Sequence, residues 1–140
     1  MTPNKIFLHH SLTKDSETVS WGAIWKYHVN TMGWSSVGYH FGVELINDRY
    51  QVLLGRMPSV QGAHTKGQNQ DSIGICFVGN YDIEEPPREM WLKGLELVRW
   101  LQGVYRIWNH SIHGHREFAD KTCPGTMFDV EKFKADLLNN

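Results

Sequence analysis

Short apolar runs alternate along this chain with longer stretches whose bulky residues recur every three or four positions. Lys5 to His10 (KIFLHH) is a run of the first kind and predicts a buried strand. Tyr39 to Ile46 and Tyr50 to Leu54 predict two more, with Asn47-Asp48 as a hairpin turn between them. Ser72 to Gly79 (SIGICFVG) is apolar almost throughout, as expected of a central strand covered on both faces. Ser111 to His115 predicts a short last strand. Helical spacing marks the other segments. Between Val19 and Met32 the residues Trp21, Ile24, Trp25, His28 and Met32 recur near helical intervals, and Gly33 follows as a terminator. Pro86-Pro87 opens a helix to about Arg106, with Trp91, Leu95, Val98, Leu101 and Tyr105 on one stripe. A final helix starts near Asp129, a candidate N-cap, and carries Val130, Phe133 and Leu137. Ser11 to Thr18 and Arg116 to Met127 read as loops, the second turning at Pro124-Gly125. Met57 to Asp71 reads as a long surface loop; at that length in a compact domain a loop is usually functional or disordered.

Strands interleaved with helices predict an α/β fold, a central mixed β-sheet flanked by helices. A length of 140 residues suits a single domain over 1–140. With 41% hydrophobic and 21% charged residues the chain is expected to be globular and not disordered. A net charge of −1 argues against bulk capture of nucleic acid. No stretch approaches the roughly 20 apolar residues of a membrane span. The first apolar piece is too short for a secretory signal, which predicts a protein that works in the cytoplasm or leaves the cell without one.

Two cysteines exclude a disulfide scaffold, and eight histidines raise the prior for a metal or acid–base site. Three places stand out. His9-His10 ends a predicted strand, where alternation lets only one of the pair face a given site. His113 and His115 are two apart and share a strand face. Cys123 follows His115 by eight residues, in a Pro-Gly loop. A thiolate with two neutral imidazoles suits zinc and leaves a fourth tetrahedral position open. Spacing alone does not choose among these histidines. Cys76, inside an apolar strand, reads as an inert core thiol.

Four segments, in order, carry a resemblance: IFLHHS at 6–11, GYHF at 38–41, GAHTKGQNQDSIGICFVGNYD at 62–82 and HGHREFADKTCPG at 113–125. The chain resembles the zinc-dependent type 2 N-acetylmuramoyl-L-alanine amidases, which include phage amidase endolysins and the peptidoglycan recognition proteins. The resemblance implies zinc ligands at His9, His115 and Cys123, with His10 and His113 as neighbours. It implies catalytic roles for Tyr39 and Lys121 and a substrate contact at His64. Asn69 and Ser72 are expected to shape the loop before the central strand.

The implied reaction is hydrolysis of the amide between N-acetylmuramic acid and L-alanine. The implied partner is peptidoglycan or a muropeptide, acted on by a monomer held in the host cytoplasm until released to the wall, with recycling of wall fragments in the cytoplasm as another setting. Two alternatives stand beside this. One is a peptidoglycan-binding module without activity, which would usually lack the cysteine ligand. The other is a zinc peptidase cutting within the stem peptide. Some phage amidases bind a polymerase; no residue here licenses that transfer.

Overall fold

The computed structural model describes residues 1–12 and 21–139. The expected polar loop after Ser11, apart from Leu12, and the first two residues of the expected first helix lie outside them. The described residues contain one five-stranded sheet. Its strands are β1 (Lys5–His10), β2 (Phe41–Ile46), β3 (Arg49–Leu54), β4 (Ser72–Phe77) and β5 (Ile112–Gly114), in the order β3-β2-β4-β1-β5. β1 runs parallel to both β4 and β5, β2 runs parallel to β4, and only β2–β3 is antiparallel. The sheet is mixed, as expected. The β2–β3 hairpin turns where Asn47 and Asp48 both take positive φ, 47° and 70°, the backbone that matches strand twist in a two-residue loop.

Among the described residues three α-helices accompany the sheet: α1 (Trp21–Lys26), α2 (Arg88–Tyr105) and α3 (Val130–Leu137). Asp129 caps α3, its side chain accepting from the Lys132 N–H at 2.9 Å. The first helix departs from expectation. After Lys26 it widens into a π turn over Tyr27–Thr31, with the Met32 N–H donating to the Tyr27 carbonyl five residues back. The wider turn accompanies a tertiary contact: His28 Nδ1 accepts from the Gly38 N–H at 2.9 Å. Gly33 follows at φ 73°, a terminator as expected.

Strand alternation divides the sheet into two unlike faces. Ile6, Leu8, Ile73, Ile75, Phe77, Val43 and Ile112 point to one face, where α2 and α3 pack with Leu95, Val98, Leu101 and Phe133. Phe77, Trp91, Phe128 and Phe133 form the aromatic centre of this core. The opposite face carries Phe7, His9, Gly42, Gly74, Cys76 and His113, which the register sets side by side. Two glycines leave room there for rings. A Cβ on Gly42 would strike the Trp21 indole, and one on Gly74 would lie 2.5 Å from Cγ of His64. Some strands are shorter than the apolar runs suggest. Tyr39 and His40 precede β2, their carbonyls taken by the N–H groups of Arg56 and Gly55. β4 stops at Phe77 because Gly79 turns away at φ 146° and donates to Ser11 Oγ. Ser111 and His115 flank β5 in 3₁₀ turns.

Candidate metal centre

β1 and β5 end side by side at their carboxyl ends, where open parallel sheets commonly bind ligands. His9 is the last residue of β1 on the face opposite the core, and it is almost fully buried. His115 follows β5 directly, and its ring centroid lies 4.6 Å from that of His9. The 116–128 loop brings Cys123 back to the same point. Its Sγ accepts from the His10 N–H at 3.4 Å and stands 3.6 Å from His9 Nδ1. One donor atom from each of His9, His115 and Cys123 lies within 4.8 Å of the other two.

The geometry suits a tetrahedral ion. Donors about 2.05 Å (N) and about 2.3 Å (S) from one such ion stand about 3.6 Å apart. That is the separation between Nδ1 and Sγ. The protonation states of the histidines suit it too. Burial lowers His9 well below 6.5, helped by the nearby His64, His115, His10 and Lys121. Burial, then the Lys121 charge, also lowers His115. Neutral imidazole is the ligand form. Burial pushes the Cys123 thiol up to about 11, against the His10 N–H and the charges of Lys121 and Arg116, which favour thiolate.

The other histidines separate as strand parity predicts. His10 points to the core side, where its Nδ1 accepts from the Tyr81 N–H at 3.1 Å. His113 is on the metal side but one pair back along the strands. Its ring packs against Phe7 and, edge-on, against Phe118, and Nδ1 stands 3.1 Å from Glu117 Oε1. Tyr39 packs its ring 5.2 Å from that of His9 and against Cys76. Burial, then the nearby thiols of Cys76 and Cys123, holds the Tyr39 hydroxyl well above the usual phenol value. Lys121 is exposed, close enough for its charge to act on all three donor residues. His64, the expected substrate contact, packs against His9. The residue is only 8% exposed, and its Nδ1 lies 3.1 Å from His9 Nε2.

The family described as N-acetylmuramoyl-L-alanine amidase matches residues 1–126. The endolysin of Escherichia phage T7 is 34% identical over 134 residues, covering 91% of this chain and 83% of the endolysin. The chain belongs to the N-acetylmuramoyl-L-alanine amidase family. Its backbone superposes on the amidase LysC of Clostridium intestinale with a TM-score of 0.86 at 28% identity, over 99% of this chain and 87% of LysC. A mutant of Drosophila PGRP-LB in complex with tracheal cytotoxin matches at a TM-score of 0.79 and 26% identity, over 94% of this chain and 80% of the other. The α/β fold and the amidase family expected from the four segments both stand.

Two residues of this amidase escaped the sequence reading. Arg116 staples the ligand loop, its guanidinium donating to the carbonyls of Gly125 at 2.7 Å and Phe128 at 2.9 Å. Its own N–H donates to the Cys123 carbonyl at 2.8 Å. Asp82 holds the loop from outside, accepting from Thr122 Oγ1 at 2.9 Å and the Thr126 N–H at 2.8 Å. Both sit inside the quoted segments. The only sequence signal was a charged residue beside a ligand or a turn, which by itself reads as a solvated surface group.

Proposed function

We propose that this amidase holds zinc at His9, His115 and Cys123 and hydrolyses the amide between N-acetylmuramic acid and L-alanine in peptidoglycan, with residues 1–140 acting as one domain. The observation that carries this reading is the convergence of two imidazoles and a thiol at the ends of β1 and β5, with donor atoms within 4.8 Å. When bound, zinc supplies Lewis acidity, which activates water near neutral pH and polarises the amide carbonyl.

The remaining work falls to side chains. An amide becomes a tetrahedral species with negative charge on the former carbonyl oxygen. The Lys121 ammonium, exposed beside the ligands, faces that developing charge and stabilises it. Collapse needs a proton on the leaving nitrogen. The hydroxyl of Tyr39, whose ring packs against that of His9, is the group assigned to pass it. Cys123 favours an enzyme over a binding module, because it completes the donor set. The PGRP-LB complex supports a muropeptide as ligand, and the phage endolysin supports a wall-lysing role after release from the host cytoplasm; the protein is taken to act as a monomer. Among the described residues no helix is long and apolar enough to cross a membrane.

Digestion of purified sacculi followed by mass spectrometry tests the reading. Free stem peptides beginning with L-alanine are expected, abolished by EDTA and restored by zinc. Cleavage inside the stem peptide, or full activity in metal-free protein, would overturn it.

A further inference from the structure

The Gln68 carbonyl sets a direction for a chain of buried hydrogen bonds that ends at the proposed metal. Ser72 Oγ lies 2.6 Å from that carbonyl oxygen. A carbonyl only accepts, so the Ser72 hydroxyl donates to it. Its oxygen is then an acceptor towards His64 Nε2, 3.3 Å away, and the Ser72 carbonyl is a second acceptor at 3.5 Å. Both neighbours of His64 Nε2 therefore call for a hydrogen on it. His64 is buried, and among the described residues none of its hydrogen-bond partners is a carboxylate. A neutral ring with hydrogen on Nε2 has a bare Nδ1. That atom faces Thr65 Oγ1 at 3.0 Å and His9 Nε2 at 3.1 Å, and Thr65 Oγ1 is itself 3.3 Å from His9 Nε2. His9 Nε2 is left as the donor, whether to His64 directly or through the threonine hydroxyl.

We infer that Gln68, Ser72, His64 and Thr65 fix His9 as its Nε2–H tautomer, which aims the bare Nδ1 at the position beside Cys123 Sγ. His64 and Thr65 are positioning residues for the metal ligand, in place of the substrate contact expected at His64. The inference rests on the zinc reading of the site. Outer partners of ligating histidines commonly act this way, fixing both tautomer and ring orientation. The surroundings are built for the chain. Asn69 Oδ1 accepts from the N–H groups of both His64 and Thr65 at 2.9 Å, which fixes the loop that carries them. Gly74 provides the floor on which the His64 ring rests.

The test reads tautomer and metal affinity without substrate, so its result is independent of which bond the enzyme cuts. In ¹⁵N-labelled metal-free protein, long-range ¹H–¹⁵N correlation spectra should show His9 and His64 with hydrogen on Nε2 and a bare Nδ1. Zinc affinity is then measured by competition with a chromophoric chelator. His64→Phe fills the space without an acceptor and should weaken zinc roughly 10- to 100-fold. His64→Asn keeps an acceptor near the former Nδ1 and should recover most of that loss. His9 found as the Nδ1–H tautomer overturns the inference. So does folded His64→Phe with unchanged affinity, or an equal loss in both variants. If His64→Phe fails to fold, the wild-type spectrum still decides.

Discussion

Tyr39 illustrates how a single side chain serves both packing and chemistry. Its ring packs between those of His9 and Trp21, at 5.2 and 6.3 Å, and against the small cluster that holds Cys76. Tyr39→Phe keeps the ring packing and removes only the hydroxyl group. We expect zinc to be retained and turnover to fall by roughly 10²-fold or more, the usual scale of a lost general acid. Single-turnover rates with metal content measured on the same sample check this, and an unchanged rate would remove Tyr39 from the proton path. Lys121→Ala should likewise keep zinc, since the lysine donates no ligand, and lose roughly 10²-fold in turnover as one oxyanion donor disappears. Unchanged turnover would make it a bystander. At this scale residue type and spacing supplied candidates, the resemblance chose His9, His115 and Cys123 among them, and the structure brings one donor atom of each within 4.8 Å of the other two. Sequence named His64 as a substrate contact but gave no sign of its contact with His9, because a histidine's partners depend on which face of a loop is buried. Cys76 reads correctly as a core thiol, but only the β4 register shows that it lies beside His9 and under Tyr39.

Most elements follow from periodicity, yet the loop that delivers Cys123 does not. Its anchors, Arg116 and Asp82, bond largely to backbone groups, and backbone partners leave no trace in residue type. The π turn at Tyr27–Thr31 is equally invisible, since His28 and Met32 keep helical spacing while the ring of His28 is drawn to the Gly38 N–H. The Asp82 strap gives a pH prediction. The Thr126 N–H, with Thr122 and nearby charges, holds its carboxyl below the ordinary 3.8. A carboxylate with a lowered folded pKa adds stability that is fully present above the unfolded value. That stability fades as pH falls through the folded value. Solvent screens these exposed contacts, so Asp82→Asn should cost about 0.5 kcal/mol at pH 7, within the range of exposed charged contacts. The gap to the wild type should stay constant down to about pH 4 and narrow below it. Urea unfolding of both proteins from pH 7 to 2.5 measures that gap. A gap that widens in acid would show that Asp82 does not act through its charge.

The two faces of the sheet divide the work of the whole molecule, and that division predicts what metal removal does. The large apolar core lies between the sheet and helices α2 and α3, on the side away from His9 and His115. The ligand loop is tied down by Arg116 and Asp82 through protein contacts alone. Nothing in the core waits on the metal to form. This differs from small zinc domains, in which the ion replaces a core and its loss unfolds the chain. Metal-free protein should therefore keep its far-UV circular dichroism and a single cooperative melting transition while losing all hydrolysis. Zinc should raise Tm only by mass action. At 100 times its dissociation constant a ligand adds about 2.7 kcal/mol, or roughly 5–10 °C for a domain of this size. Scanning calorimetry across a zinc titration tests both halves of the argument. A melting temperature that climbs with the logarithm of free zinc, from a transition already cooperative in EDTA, is the expected result. Loss of that transition in EDTA would mean that the ion organises the fold as well as the chemistry, and the separation of core from catalytic face would fail.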